Sequence, residues 1–284
     1  MAWLSALKEL QVTDQTGHPC ATPGVSGSAL SNTQFDFTPD EFYIAAAFCS
    51  HMHPVAPTAA TPEADMIRAL VARHVDDIKV DFAIEATADS FKDYVKSYFS
   101  GTVATALGFL AMVRSGYDWA GHFEHFKSTS AKGRMPDFVF SSIKLGTCLV
   151  ESKGTRSAAK STFRATVEQG YLEQVERHLG SMLAGGTMAS HGYCIGAWMT
   201  SVSKAELIVY HTNSAGASWG GGGRPDDDLG EVSLEAVQQQ DMATAMSVAL
   251  GPEFGQGLRF GFLNNLPPLV IFKWLGSGPV KLLA

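Results

Sequence analysis

Met135-Pro136-Asp137-Phe138-Val139-Phe140-Ser141-Ser142, followed after a short break by Thr147-Cys148-Leu149-Val150-Glu151-Ser152-Lys153, is the stretch from which the fold is read. Both halves are rich in strand formers, and Pro136 stands at a strand's start, where its missing N–H is tolerated. Ile143 to Gly146 read as the turn between them, with Gly146 supplying permissive backbone. Side chains alternate along a strand, so Glu151 and Lys153 share one face while Ser152 points away. A hairpin pairing of the two strands can bring Asp137 beside Glu151.

Two carboxylates held that close repel each other unless a cation sits between them. Oxygen-only ligation suits Mg²⁺, or Mn²⁺ in its place, rather than zinc. Such an ion polarises a phosphoryl oxygen and lowers the pKa of bound water. A neighbouring Lys153 can orient that water or offset charge in the transition state.

Pro136-Asp137 with Glu151-x-Lys153 resembles the PD-(D/E)XK nuclease superfamily, the restriction-endonuclease-like fold. The resemblance implies an α/β core of helix, three-stranded meander, helix and two further strands, with a mixed central sheet flanked by helices. The sequence supplies elements in that order. Residues 102–114 read as an apolar helix ending at Ser115-Gly116, and Trp119 to Phe126 as the first strand. The two motif strands follow. Residues 157–179 form a helix, with Phe163, Val167, Tyr171 and Val175 at helical spacing. Strands follow over 191–202 and 205–212. The expected organisation is an N-terminal loop-rich and helical elaboration (1–87), the core (88–215) and a C-terminal extension packing on it (216–284).

The resemblance also implies site roles: Asp137 and Glu151 as metal ligands, the Ser152 carbonyl as a further ligand, and Lys153 as water-positioning base or electrostatic stabiliser. Many members carry another Glu in the helix before the first strand. Here Thr105, Ala106 and Leu107 occupy that region, and no acid lies between Asp93 and Asp118. Glu124 on the first strand is the preferred substitute ligand, with Asp93, water or no third ligand as the alternatives. Members also place a polar residue on the helix after Glu-x-Lys. Gln169 and Gln174 are candidates, although their spacing to Tyr171 does not reproduce the Gln-x-x-x-Tyr pattern of the RecB-like branch.

The chain has 284 residues, 45% of them hydrophobic, and a formal net charge of −7. That is ample for a core and argues against a generally basic nucleic-acid binder. Basic residues nevertheless gather around the motif. Arg134, Arg156, Lys160 and Arg164, with Gln174, are the candidate nucleic-acid contacts, Lys160 and Arg164 falling on one helical face. Pro225-Asp226 is a decoy, since no Glu-x-Lys follows it. Residues 1–60 read as a loop-rich layer around one apolar run, Phe42 to Cys49. Pro62 to Asp77 read as a helix capped by Thr61, with Met66, Leu70 and Val71 as its stripe. Residues 213–230 read as a linker, 231–250 as a helix, and 257–284 as two strand-like runs.

Scattered Cys20, Cys49, Cys148 and Cys194 do not suggest a disulfide scaffold. A zinc site from His18, Cys20, Cys49, His51 and His53 is the weaker reading, because their spacing is unlike common zinc motifs. No secretory signal or membrane span is read, and a cytoplasmic protein is expected. Three functional classes follow. The leading one is a Mg²⁺-dependent DNA endonuclease of a restriction, defence or mobile-element system, acting as a homodimer or with a partner protein. The others are a catalytically degenerate module that binds a protein or nucleic acid, and an RNA-directed nuclease.

Overall fold

The structure is a computed structural model of the whole chain, and it describes residues 2–50, 57–126, 133–183, 187–200, 202 and 204–214. Seven strands form one mixed sheet: β1 (Lys8–Cys20), β2 (Gln34–Phe37), β3 (Trp119–His122), β4 (Phe138–Ser142), β5 (Gly146–Thr155), β6 (His191–Trp198) and β7 (Glu206–Ser214), in the order β2-β1-β7-β6-β5-β4-β3. The meander β3-β4-β5 and the pair β6-β7 are antiparallel, whereas β5-β6 and β1-β7 are parallel. A parallel neighbour needs a crossover. The β5-to-β6 crossover is helical: α4 (Lys160–Gly170) continues as one π turn (Tyr171–Val175) and a 3-10 turn (Glu176–His178).

Alternation along the strands splits the core in two. Phe138, Phe140, Cys148, Val150 and Ile195 pack on one side with α1 (Pro39–Ser50) and α3 (Asp93–Arg114). Val139, Leu149, Cys194 and Ile208 pack on the other with Phe163, Val167, Tyr171 and Val175. Those last four are the stripe expected on the second helix. Close approach on both sides needs glycine. A Cβ at Gly154 would lie 2.3 Å from the Ser100 carbonyl oxygen, and one at Gly196 would lie 2.3 Å from Val167 Cγ2.

Helix α3 starts nine residues earlier than the apolar stretch 102–114 and ends where expected. Gly116 is left-handed (φ 99°), and the Gly116 and Tyr117 N–H groups donate to the carbonyls of Val113 (3.1 Å) and Met112 (3.3 Å). That double bond is the Schellman arrangement that closes a helix. The motif turn is also as expected, Ile143 to Leu145 leading to Gly146 at φ 76°.

Three expectations are corrected. Residues 1–60 are not a loop-rich layer: β1 and β2 extend the sheet, and α1 starts with a capping box. Glu41 accepts from the Thr38 N–H (2.8 Å) while the Thr38 hydroxyl accepts from the Glu41 N–H (3.2 Å). Helix α2 (Pro57–Val71) starts earlier than Pro62, which lies inside it, and gives way to a 3-10 turn at Ala72. Two prolines suit a first helical position, and the earlier one takes it. Its buried stripe is Ile67 and Val71, one turn apart, while Met66 is exposed. The first meander strand stops at His122, and Phe123–His125 is a 3-10 turn. The readings made for 216–284 lie outside the described residues. Among the described residues no helix is long and apolar enough to cross a membrane.

Candidate metal centre

β4 and β5 pair from Ser142↔Gly146 to Phe138↔Val150. One further step of that register sets Asp137 opposite Glu151. Asp137 stands just ahead of β4, and its Oδ2 accepts the Ser152 N–H at 2.9 Å. In extended backbone a residue's N–H and C=O point to the same side, so the Ser152 carbonyl lies on the side of the strand that its N–H turns to Asp137. The Ser152 hydroxyl points to the opposite side of the sheet, where a Cβ at Gly108 of α3 would lie 3.2 Å from it.

Glu151 is 2% exposed. Its Oε1 accepts a hydrogen bond from the Lys153 ammonium, two residues on along the same face of β5. Lys153 also donates to Gln174 Oε1 at 2.7 Å, and Gln174 Nε2 donates to the Met135 carbonyl at 2.9 Å. Gln174 sits on the π turn, a form that recurs at functional positions. Gly170 lets this helix close on the site: a Cβ there would come within 3.0 Å of Lys153 Cε and 2.9 Å of Cys194 Sγ.

Burial pushes the Asp137 carboxyl above the usual range, against the Ser152 N–H and the Lys153 charge. Glu151 is pushed up to about 7, first by burial and then by the charge of Asp137, while Lys153 and Gln174 pull the other way. Glu151 Oε2 is buried and has no hydrogen-bond partner. An oxygen in that condition costs free energy unless something positive meets it. Two repelling carboxylates, one with an orphaned oxygen, beside a backbone carbonyl, make a donor set that fits a hard divalent ion. Among the described residues no group of three or more His, Cys, Asp or Glu gathers for a metal, so an ion here would take two carboxylates, with the Ser152 carbonyl and water completing its shell.

The remaining sequence candidates divide. Gln174 reaches the centre, but its amide is committed to Lys153 and Met135. Glu124 is exposed on the 3-10 turn rather than on β3. Arg134 is exposed and pairs with Glu173 at 3.0 Å. Arg156 is buried and structural: it holds the carbonyls of Ile84, Glu85 and Met199 and the Asp89 carboxylate at 2.7 Å. Lys160 and Arg164 share a helical face as expected, but they pair with Glu206 and Asp14 across the sheet. All four basic candidates are therefore matched to acids, Lys160 and Arg164 to acids of β7 and β1, strands far away in sequence.

Cys20 packs among the α4-side residues, whereas Cys49 packs against the α3-side core and donates its thiol to the Thr105 carbonyl at 3.9 Å. His51 and His53 lie outside the described residues. The four cysteines are free thiols. No family model, no curated protein and no solved structure matches this chain.

Proposed function

We propose that the chain is a metal-dependent nuclease of the PD-(D/E)XK type, hydrolysing phosphodiester bonds of DNA with Mg²⁺ or Mn²⁺. The observation that carries this reading is the buried, partnerless Glu151 Oε2 on a carboxylate that already repels Asp137. The element order supports it: α3, the meander β3-β4-β5, α4, then β6 and β7, the restriction-endonuclease-like order, with Asp137 and Glu151-x-Lys153 on its middle hairpin.

Asp137, Glu151 and the Ser152 carbonyl would hold the ion, which when bound supplies Lewis acidity at the phosphoryl oxygen and an acidified water. The chain's own residues do the rest. Ser152 N–H fixes the Asp137 carboxylate. Gln174 and Glu151 hold the Lys153 ammonium at the edge of the pocket, where its charge offsets the negative charge that builds on the phosphoryl oxygens. Water adds to phosphorus as the bond to the leaving oxygen breaks. The water proton is lost and the leaving oxygen gains one, giving a phosphomonoester and a hydroxyl end.

The test is incubation with supercoiled, linear and single-stranded DNA and with RNA across divalent ions. Cleavage of DNA that needs Mg²⁺ or Mn²⁺, stops with EDTA and disappears in Lys153→Ala with the fold intact supports the proposal. Cleavage that persists in that variant overturns it, and cleavage of RNA alone transfers it to the RNA-directed reading.

A further inference from the structure

The Lys153 ammonium occupies the place a metal's charge would neutralise. It bonds to Glu151 Oε1, the carboxylate whose other oxygen is orphaned. It has a second acceptor, the uncharged Gln174 Oε1 at 2.7 Å. Gln174 Nε2 donates to the Met135 carbonyl at 2.9 Å, which fixes the amide with its oxygen facing Lys153. The π turn places that amide beside Lys153, and Gly170 leaves room for the lysine stem. One ammonium thus bridges a charged acceptor and a neutral one that is anchored to the lead-in of Asp137.

We propose that Lys153 is the resting cation of this centre, exchanged on Glu151 for the divalent ion, and that Gln174 is the positioning residue that keeps the ammonium when the exchange occurs. The divalent ion and Lys153 compete for the same carboxylate charge. Gln174 gives the displaced ammonium a neutral acceptor, held by the Nε2 bond to Met135, that competes for the ion less strongly than a carboxylate does. Lysine then stays at the pocket edge instead of leaving with its charge or blocking the ion. This inference takes its ion site from the nuclease reading, but it concerns ion exchange alone.

The experiment is calorimetric titration of Mn²⁺ into the full chain without nucleic acid, for the wild type, Lys153→Met, Gln174→Ala and the double variant. Removing the competing ammonium should tighten Mn²⁺ binding about tenfold, the effect of one opposite charge within contact range. Gln174→Ala, which leaves Lys153 with Glu151 alone, should weaken it several-fold. The double variant should lie close to Lys153→Met, because the direct pull of Gln174 on Glu151 is the smallest of the influences there and its main effect runs through the lysine. Mass-spectrometric mapping of amine labelling should also show Lys153 more reactive in Mn²⁺-loaded Gln174→Ala than in the loaded wild type. Lys153→Met that binds no more tightly, or a Gln174→Ala effect that survives undiminished in the Lys153→Met background, overturns the inference. If it falls in that way while Asp137→Asn still abolishes cleavage, the nuclease reading stands. If Mn²⁺ binding tightens as expected but no nucleic acid is cut, the nuclease reading falls and the exchange remains.

Discussion

Asp137 Oδ2 accepts the Ser152 N–H at 2.9 Å, so a carboxylate ahead of one strand completes the hydrogen-bond ladder of the next. The charge of the same group adds to burial in raising Glu151. Structural and electrostatic roles can be separated by substitution. Asp137→Asn keeps an acceptor oxygen for Ser152 and removes the charge, so it should fold with a melting temperature at or above that of the wild type while losing Mg²⁺-dependent cleavage. Asp137→Ala leaves the Ser152 N–H without its partner and should cost about 1–3 kcal/mol in denaturant unfolding. Equal stability of the two variants would contradict this division.

Glu151 gives the ion-free protein an unusual pH dependence. Its ordinary value is 4.5, and the fold raises it to about 7. Between those values the folded chain keeps a proton that the unfolded chain has released, so stability falls as pH rises. The effect is absent below about 4.5, grows through the window and levels off above about 7. Asp137, also raised, adds in the same direction from a slightly lower pH. In EDTA the melting temperature should drop by several degrees from pH 5 to pH 8. Glu151→Gln should flatten that slope. Mg²⁺ at pH 8 should restore the wild type and leave Glu151→Gln nearly unchanged.

The hairpin and the helices around it were legible because each rests on local chemistry. Gly146 fixes the turn, alternation sets Glu151 and Lys153 on one face, and Phe163, Val167, Tyr171 and Val175 mark a helix at 3.6-residue spacing. What was not legible depends on partners far away in sequence. β1 becomes a sheet strand by lying parallel to β7, nearly two hundred residues on by the Gln11↔Glu206 register. Its Gly, Pro and polar residues hide it from any periodicity argument. The basic face of α4 looked ready for phosphate because Asp14 and Glu206, its partners, come from those remote strands. The π turn that brings Gln174 to Lys153 has no sequence signature. The Thr38-Pro39-Asp40-Glu41 capping box, by contrast, was a local signal that would have found α1.

Arg156 gives a test of structural against binding roles. Its guanidinium is buried and joins three backbone carbonyls to Asp89, tying the segment before α3 to the end of β6. Removing it strands those carbonyls. Arg156→Ala should destabilise the fold by about 2–4 kcal/mol in urea. Arg156→Lys should recover only part of that loss, because an ammonium cannot span the fork of acceptors. At a temperature where the variant stays folded, its apparent affinity for DNA should match the wild type. A weaker affinity at unchanged stability would return Arg156 to the phosphate-binding group.

Gly170 and Gly196 both sit where a Cβ would collide, yet their neighbours differ in what they can do. At Gly196 the obstacles are Val167 Cγ2 at 2.3 Å and the Phe163 ring at 2.9 Å, both packed in the core. Neither can move cheaply, so Gly196→Ala should cost about 1–3 kcal/mol. At Gly170 one obstacle is Lys153 Cε at 3.0 Å, partway along a flexible side chain, and the other is Cys194 Sγ at 2.9 Å. The backbone there is helical (φ −57°), where alanine gains about 1 kcal/mol over glycine. That gain offsets part of the crowding, which a small shift at Cys194 Sγ and a larger one of the lysine stem relieve. Gly170→Ala should therefore melt within a few degrees of the wild type but cleave at least tenfold more slowly, with the loss in kcat rather than KM. Paired thermal melts and steady-state kinetics on the two variants separate a glycine that serves packing from one that sets the ammonium's position.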